Sequence, residues 1–252
     1  MKHNTPRRSH SNLSFPDSRA DNILIMVNEL IQEMVDAGVH YGHQTRKWNP
    51  KMKPFLMKDK AGIYIIDLEK TVQNLDKASS FLTDIAGKGK KILFVGCKRQ
   101  AQDAVKEAAE AAGQYYVNHR WLGGTLTNLS TIRRSVERLK YLEDIEKQPE
   151  YKAMSKKELA ALSRERGKLF RNLCGVRDME KLPDAIVIVD SARETIAVAE
   201  ARRLNIPVIA IVDSNADPAV VDYPIPGNDD SIRSIRVLLQ NLVDSIVVGA
   251  KG

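Results

Sequence analysis

Two histidines near the start of the chain, His40 and His43, are close enough in sequence to share a metal ion. Zinc sites usually take four ligands from Cys, His, Asp or Glu side chains at short spacings. The pair has no such set beside it, and Cys97 and Cys174 stand far from it and from each other. The sequence therefore predicts no metal centre here, and so few cysteines are typical of a reducing compartment.

Two aspartates, Asp190 and Asp213, each follow an apolar run that predicts a buried strand. Open α/β sheets bind their ligands at the carboxyl ends of the strands, where such residues could hold Mg²⁺. Aspartate and serine also cap helix N-termini, and Ser191 and Ser214 come next in the chain. The sequence favours capping and leaves Mg²⁺ as the alternative.

A nucleotide-binding enzyme would need a glycine-rich phosphate loop, and the sequence contains neither common form. The dinucleotide fingerprint G-x-G-x-x-G must follow a strand directly, but the strand ending at Val95 is followed by Gly96 alone. The stretch Gly87–Lys91 precedes a strand and lacks the Ser or Thr of a P-loop. A nucleophile–base pair has no candidate base, because His119 is the only histidine beyond residue 43. The sequence predicts no enzyme and no cofactor. A nucleotide-binding enzyme is the alternative, and tight nucleotide binding would favour it.

Two other segments combine cations, amides and an aromatic ring, as RNA-binding loops do. Lys and Arg neutralise phosphates, amides and hydroxyls bond to phosphate or the 2′-hydroxyl, and Trp rings stack on bases. The candidate RNA-binding residues are Arg46, Lys47, Trp48, Lys51 and Lys53 in the first segment, Asn118, Arg120, Trp121, Thr125 and Thr127 in the second, and Lys98, Arg99, Arg133 and Arg134 nearby. Plainer interpretations stay open: tryptophans are often core residues, and helix charges often form a solvated face.

The charge balance agrees with a polyanionic partner. Lys and Arg number 39 against 32 Asp and Glu, a net charge of +7, and six basic residues and one acid lie between His40 and Lys60. No apolar run approaches the ~20 residues that cross a bilayer, so no membrane partner is expected. Residues 1–25 are polar and are predicted to be disordered; a transit peptide and a true start at Met26 are the alternatives.

Apolar strands alternate with amphipathic helices along most of the chain. Helices are predicted after Asp67 and at Met26–Ala37, Ala101–Ala112, Arg193–Leu204 and Asp230–Val248, with an irregular loop over His40–Pro54. Buried strands are predicted at Ile63–Ile66, Lys91–Val95, Tyr115–Val117, Ala185–Val189, Pro207–Val212 and Asp222–Ile225. This alternation predicts an α/β fold whose parallel sheet is covered on both faces.

One segment breaks the alternation. Apolar residues recur every three or four positions between residues 126 and 142, and a second series follows between 159 and 173, with Gln148 and Pro149 between the two. Two helices with such seams predict an antiparallel coiled-coil hairpin. The predicted units are a disordered extension over 1–25, an α/β domain over 26–126 and 180–252, and an inserted helical hairpin over 127–179.

Five long segments resemble one known family. They are Ala37–Met52 (AGVHYGHQTRKWNPKM), Phe94–Arg99 (FVGCKR), Val117–Asn128 (VNHRWLGGTLTN), Leu182–Ala185 (LPDA) and Tyr223–Asp230 (YPIPGNDD). In this order and spacing, from about Val27 to Val248, the chain resembles the bacterial-type small-subunit ribosomal protein number two. The first 25 residues have no counterpart in the family pattern.

The resemblance implies a three-layer flavodoxin-like or Rossmann-like fold with an inserted hairpin, and a structural role in translation. It implies that Arg46–Lys53, Lys98–Arg99 and Asn118–Asn128 face 16S-type ribosomal RNA, and that the N-terminal helix and hairpin contact RNA and neighbouring proteins. Family members bridge the head and body of the small subunit and help to dock protein number one, which captures messenger RNA. A bacterial cytoplasmic ribosome is favoured over an organellar one, and no homo-oligomer is expected. Besides the nucleotide-binding enzyme, the alternative to an RNA-binding protein is a protein-only adaptor, whose binding to its partner would depend little on salt.

Overall fold

The computed structural model describes residues 19–145 and 154–251. In chain order the helices are α1 (Arg19–Ala37), α2 (Leu68–Gly87), α3 (Gln102–Ala111), α4 (Leu129–Ile145), α5 (Lys156–Leu173), α6 (Thr195–Arg203) and α7 (Ile232–Lys251). The strands are β1 (Tyr41–Gln44), β2 (Leu56–Lys60), β3 (Ile63–Ile66), β4 (Ile92–Val95), β5 (Tyr115–Val117), β6 (Ala185–Val189), β7 (Val208–Val212) and β8 (Tyr223–Pro226). None of these helices is long and apolar enough to cross a membrane.

Five strands form a parallel sheet in the order β5-β4-β6-β7-β8. Successive side chains of a strand point to opposite faces, and in β4 both sets are buried. Ile92 and Phe94 pack with α1, α2, α3 and α7, whereas Leu93 and Val95 pack with α4 and α6. The predicted three-layer α/β fold is therefore confirmed. Because the strands are parallel, their carboxyl ends meet at one edge of the sheet.

A second, antiparallel sheet has the order β1-β3-β2. Its presence corrects two predictions, the irregular loop over His40–Pro54 and the buried strand at Ile63–Ile66, since β3 lies in this small sheet and Ile63 is exposed. A run of four apolar residues does not distinguish a buried strand from a half-exposed one. Ala61 and Gly62 join β2 to β3 with φ of 53° and 78°, as a two-residue type I′ turn requires.

Within the described residues helix α1 covers Arg19–Ala37, so residues 19–25, predicted to be part of a disordered extension, are helical. Residues 1–18 lie outside the described residues. The apolar series used to predict the helix begins at Val27, yet Ile23 and Leu24 extend it upstream at helical spacing. Because a helix propagates more easily than it nucleates, a segment packed through Met34 in the core can carry further turns.

Helices α4 and α5 pack against each other, as their apolar seams predict. Arg138 Nε and Nη2 donate to the two carboxylate oxygens of Glu165 at 2.9 Å each. Ile132 of α4 shares a buried core with Leu169 and Leu173 of α5. Early residues of α4 therefore lie beside late residues of α5, which makes the pair antiparallel. The predicted break at Gln148 and Pro149 lies outside the described residues.

Gly175 docks the end of the hairpin on β5 at a contact too close for a side chain. A Cβ added there would overlap the main-chain oxygen and the ring of Tyr116. We expect Gly175→Ala to lower the free energy of unfolding in urea by about 1–3 kcal/mol, as overpacking does.

Gly167, in the middle of α5, provides the matched control for this substitution. A Cβ on Gly167 would meet nothing within 4 Å, so Gly167→Ala should raise the free energy of unfolding by about 0.5–1 kcal/mol. Equal stability of Gly175→Ala and the wild type would contradict the close packing of Gly175 on Tyr116.

Candidate nucleic-acid interface

The basic loop Arg46–Lys53 is anchored at the carboxyl edge of the parallel sheet. Asn49 N donates to the main-chain oxygen of Ser214, just after β7, at 2.7 Å, and the Asn49 side chain accepts from Lys51 N at 3.0 Å. Met52 is fully buried beneath the loop. These contacts fix the backbone of the loop. The basic side chains that project from it are exposed; they are Arg46, Lys47, Lys51 and Lys53.

Three residues of the basic loop are partly engaged within the protein, and the first is Arg46, whose Nε donates to Gln44 Oε1 at 3.0 Å. The Trp48 ring is partly buried, with its centroid 4.9 Å from that of Tyr64 in β3, so only its remaining surface could stack on a base. Lys51 Nζ lies 2.5 Å from Asp217 Oδ2, although 60% of the Lys51 side chain stays exposed. Lys51 therefore approaches a phosphate only in competition with Asp217.

The second predicted RNA-binding loop, Asn118–Asn128, contains both buried supports and exposed side chains. Asn118, Trp121 and Thr125 are buried, and the Asn118 amide and Thr125 hydroxyl donate to main-chain oxygens at 3.0 Å and 2.5 Å. The burial of these three side chains does not favour direct RNA contact, because their N–H or O–H groups already donate within the protein. Arg120 and Thr127 are exposed.

Glu200, which sequence reasoning did not single out, binds this loop through five hydrogen bonds. Its Oε1 accepts from Trp121 Nε1 at 3.1 Å and from Gly124 N at 2.7 Å. Its Oε2 accepts from Leu126 N at 3.0 Å and from the main-chain nitrogen and hydroxyl of Thr127 at 3.1 Å each. Burial opposes the charged form, but the bonds from Thr127, Gly124 and Leu126 hold the pKa of Glu200 below its usual value.

Lys98 lies in a cluster of aspartates at the same edge of the sheet. It is 8% exposed, and its Nζ lies 2.5 Å from Asp229 Oδ1, 2.5 Å from Asp230 Oδ1 and 3.4 Å from Asp190 Oδ2. Burial opposes the ammonium form, but these carboxylates raise the pKa of Lys98 overall. Lys98, a predicted RNA-binding residue, thus lies in an internal ion-pair network, whereas the adjacent Arg99 is exposed.

His43 reaches the same cluster from β1. Its Nδ1 lies 2.9 Å from Asp213 Oδ2 and its Nε2 lies 3.4 Å from Asp230 Oδ2. The hydrogen bond to Asp213 outweighs burial and raises the pKa of His43. Asp229 is fully buried, and burial together with the charges of Asp190 and Asp213 raises its pKa to about 7.

Three side chains of the cluster could offer ligand atoms to a cation. One ligand atom each from His43, Asp229 and Asp230 lies within 4.8 Å of the others. The Lys98 ammonium already contacts both of these aspartates, so a cation would have to displace it. Sequence spacing around His43 does not reveal these carboxylates, because the fold brings them from the far end of the chain. Their place just after β8 was the only available signal.

The structure shows the predicted helix-capping role for neither Asp190 nor Asp213. Asp190 Oδ1 accepts from Arg193 N at 3.0 Å and so caps the turn that leads into α6. Asp213 pairs with His43 instead, and Ser214 Oγ accepts from His43 N at 2.8 Å. Helix N-capping is therefore wrong for both aspartates, because Glu194 stands at the N-terminus of α6 without a side-chain cap bond and the next helical turn after Asp213 begins only at Pro218.

The topology brings exposed cations together at the carboxyl edge of the sheet. The loop Asn118–Asn128 follows β5, Arg99 follows β4, and Ser214, after β7, anchors the basic loop. Helix α4 starts directly after the Asn118–Asn128 loop and exposes two arginines in its first turns. We call this set the cationic edge; it consists of Arg46, Lys47, Lys51, Lys53, Arg99, Arg120, Arg133 and Arg134.

Comparisons with known proteins cover this whole arrangement. A family model described as ribosomal protein S2 matches residues 34–249. The small ribosomal subunit protein uS2 of Acidobacterium capsulatum is 51% identical over 226 residues, which span 90% of this chain and 75% of that protein. The protein of the same name from Koribacter versatilis is 50% identical over 226 residues, with the same shares of the two chains. The family match includes every residue of the cationic edge.

Proposed function

Because the chain belongs to the ribosomal protein S2 family, we propose that it is a structural, non-enzymatic constituent of the small ribosomal subunit and binds 16S-type ribosomal RNA. Both relatives described above are named as proteins of that subunit. The observation that carries the RNA-binding part is the cationic edge, where eight exposed basic side chains stand on loops and a helix fixed by the fold. A bacterial cytoplasmic ribosome is the proposed location.

The cationic edge binds RNA through phosphates. Arginine and lysine contacts to phosphate fix position and orientation but carry no base sequence, and folded RNA is recognised largely by its shape. Arg46, Lys47 and Arg120 are the principal contacts in this proposal, because they are exposed and lie on anchored loops. Asn118 and Trp121 act one layer below, where they support the loops.

The helical hairpin extends the contact surface to a second region. We divide the chain into an α/β domain over 26–126 and 180–252 and a hairpin over 127–179. Arg133 and Arg134 give the start of the hairpin a basic surface, whereas Tyr141 and Phe170 are about half exposed and give it apolar surface. Basic surface suits RNA and apolar surface suits a neighbouring protein. A hairpin with both kinds of surface supports the proposal that the chain bridges the head and body of the small subunit and helps to dock protein number one.

The test is binding of the full-length chain to small-subunit ribosomal RNA across a salt series. We expect affinity to fall steeply with salt, because each phosphate contact releases counterions. Substitution of both Arg46 and Lys47 by alanine should weaken binding about tenfold and reduce the salt slope by about 1–2. Arg120→Ala should reduce the slope by about half as much.

The matched control removes two positive charges elsewhere. Lys77 and Lys88 are exposed on α2 and just after it, away from the cationic edge, so their replacement by alanine should leave the slope nearly unchanged. If the control and the Arg46/Lys47 variant lost RNA affinity equally, the cationic edge would not be the binding site. Absence of RNA binding at every salt concentration, even with neighbouring ribosomal proteins present, would favour the protein-only adaptor.

A further inference from the structure

Helix α6 places one carboxylate directly beneath the loop between β5 and the hairpin. Glu200 is 8% exposed, and Ala197 and Ala201 on the same helix are fully buried in the core against the sheet. Their small side chains allow α6 to lie close to the sheet, so the helix offers a rigid base for the glutamate. The carboxylate itself points away from solvent and into the loop.

All five bonds of Glu200 come from a short stretch of the loop. Three donors are main-chain N–H groups, of Gly124, Leu126 and Thr127, and two are side chains, the Trp121 indole and the Thr127 hydroxyl. A carboxylate accepts at both oxygens, whereas a glutamine amide would turn two N–H donors towards some of these groups. The site therefore requires the negative charge and not only the shape of the side chain.

The other hydrogen bonds of the stretch held by Glu200 are local. Gly124 has φ of +87°, and a Cβ there would come within 3.1 Å of the Asn128 Cβ. Within the loop, Thr125 N donates to Leu122 O at 3.0 Å and Asn128 N donates to Gly124 O at 2.8 Å. These are local turn contacts. Trp121 and Leu126 also pack in the core of the domain, but apolar packing does not satisfy the N–H groups of the loop, and Glu200 accepts from three of them.

Residues of the cationic edge flank this stretch on both sides. Arg120 immediately precedes Trp121, and Asn128 accepts from the Thr131 hydroxyl at 3.0 Å in the first turn of α4. Arg133 and Arg134 follow within the same helix. The conformation set by Glu200 therefore fixes where Arg120 projects and where the hairpin begins.

We propose that Glu200 is a positioning residue for RNA binding: its buried carboxylate holds residues 121–127 so that Arg120 and the basic start of the hairpin meet the RNA together. This inference rests on the proposed RNA-binding function. It assigns a negatively charged residue a favourable part in binding a polyanion, which charge alone would not suggest.

The sign of one substitution separates positioning from charge. Glu200→Gln removes a negative charge near the RNA, so simple electrostatics predicts tighter binding. Positioning predicts the reverse, with affinity for small-subunit ribosomal RNA about tenfold lower because several charge-assisted hydrogen bonds are lost. Asp84→Asn, an exposed position near the end of α2, is the charge-matched control and should bind RNA as the wild type does.

Double-mutant cycles give a second readout. Glu200→Gln and Arg120→Ala should be strongly non-additive in RNA binding, because Arg120 contributes only when the loop is held. Glu200→Gln and Arg46→Ala should be additive, since Arg46 lies on the other loop. Equal additivity in both cycles would assign Glu200 a general structural role and overturn the inference.

The conformation of the loop can also be tested without RNA, through the NMR resonance of the Trp121 indole N–H. In a Trp48→Phe background, Trp121 is the only tryptophan, and its indole N–H resonance should shift strongly in Glu200→Gln. Thr127→Val, which removes one of the five bonds, should give a smaller shift in a fully folded protein. An unchanged indole resonance in Glu200→Gln, or RNA binding at least as tight as wild type, would overturn the positioning role. If the wild type binds no RNA, the proposed function fails while the indole result still decides the role of Glu200 in the loop.

Discussion

Lys98→Met is expected to lower the free energy of unfolding by about 3–5 kcal/mol at pH 8, because it leaves buried aspartates without their shared cation. Asp229 and Asp190 are 0% and 7% exposed, so water cannot replace the lost ammonium. Methionine keeps the length and apolar stem of lysine, so the change isolates the charge. Urea denaturation at fixed pH gives the measurement.

The effect of Lys98→Met should shrink as the pH falls. Protonation of Asp229, whose pKa is already raised to about 7, removes one of the charges that Lys98 neutralises, so the loss should be smaller at pH 5 than at pH 8. Lys51→Met is the control, since Lys51 pairs with Asp217 at a site where 60% of its side chain is exposed. Such a pair is worth about 0–1 kcal/mol. A loss for Lys98→Met no larger than that of Lys51→Met at pH 8 would contradict the role of Lys98.

The wild-type protein should become less stable as the pH rises from 5 to 8. The folded-state pKa of Asp229 is raised to about 7, so between its unfolded pKa and 7 the folded state binds more protons than the unfolded state, and stability falls with pH. The raised pKa of His43 acts in the same direction, because its contribution is complete below the unfolded value and is lost as pH passes the folded one. The lowered pKa of Asp230 acts at more acidic pH, outside this window.

Asp229→Asn is the variant that tests this pH dependence. We expect the wild type to lose about 2–4 kcal/mol between pH 5 and 8, and Asp229→Asn to lose much less, in urea titrations with a chelator present. Asp217→Asn, at a partly exposed aspartate with a lowered pKa, should keep the wild-type slope. A wild-type stability that is flat or rises over this range would show that Asp229 is ionised throughout.

The central sheet could be predicted from the sequence because its strands carry their own signal. β6 and β7 are apolar at every position, and such runs between helices have few other interpretations. The small sheet could not be predicted in the same way, since β1 is a Tyr-Gly-His-Gln segment with little apolar character. What makes β1 a strand is its pairing with β3, and pairing partners are not visible in a local pattern.

The candidate site was predicted at the level of its loops but not of its individual contacts. Residue type and spacing placed Arg46, Lys47 and Arg120 in basic loops, and these side chains are exposed. The same reasoning treated Lys98 and Trp121 as further contacts, although Asp229 and Glu200 hold them inside the protein. Sequence alone could not separate the two groups, because the partners lie far along the chain and only the folded sheet brings them together.

The anchor of the basic loop can form only late in the synthesis of the chain. Asn49 and His43 are tied to Ser214, so a ribosome must translate more than 160 further residues after the loop before its anchor exists. Chains emerge and fold from the N-terminus, and a truncated product ending before β7 would carry the cationic loop without its support. The nascent protein thus acquires a fixed cationic edge only when most of its length has been made, and the proposed RNA-binding function then implies that specific docking waits until the chain is nearly finished.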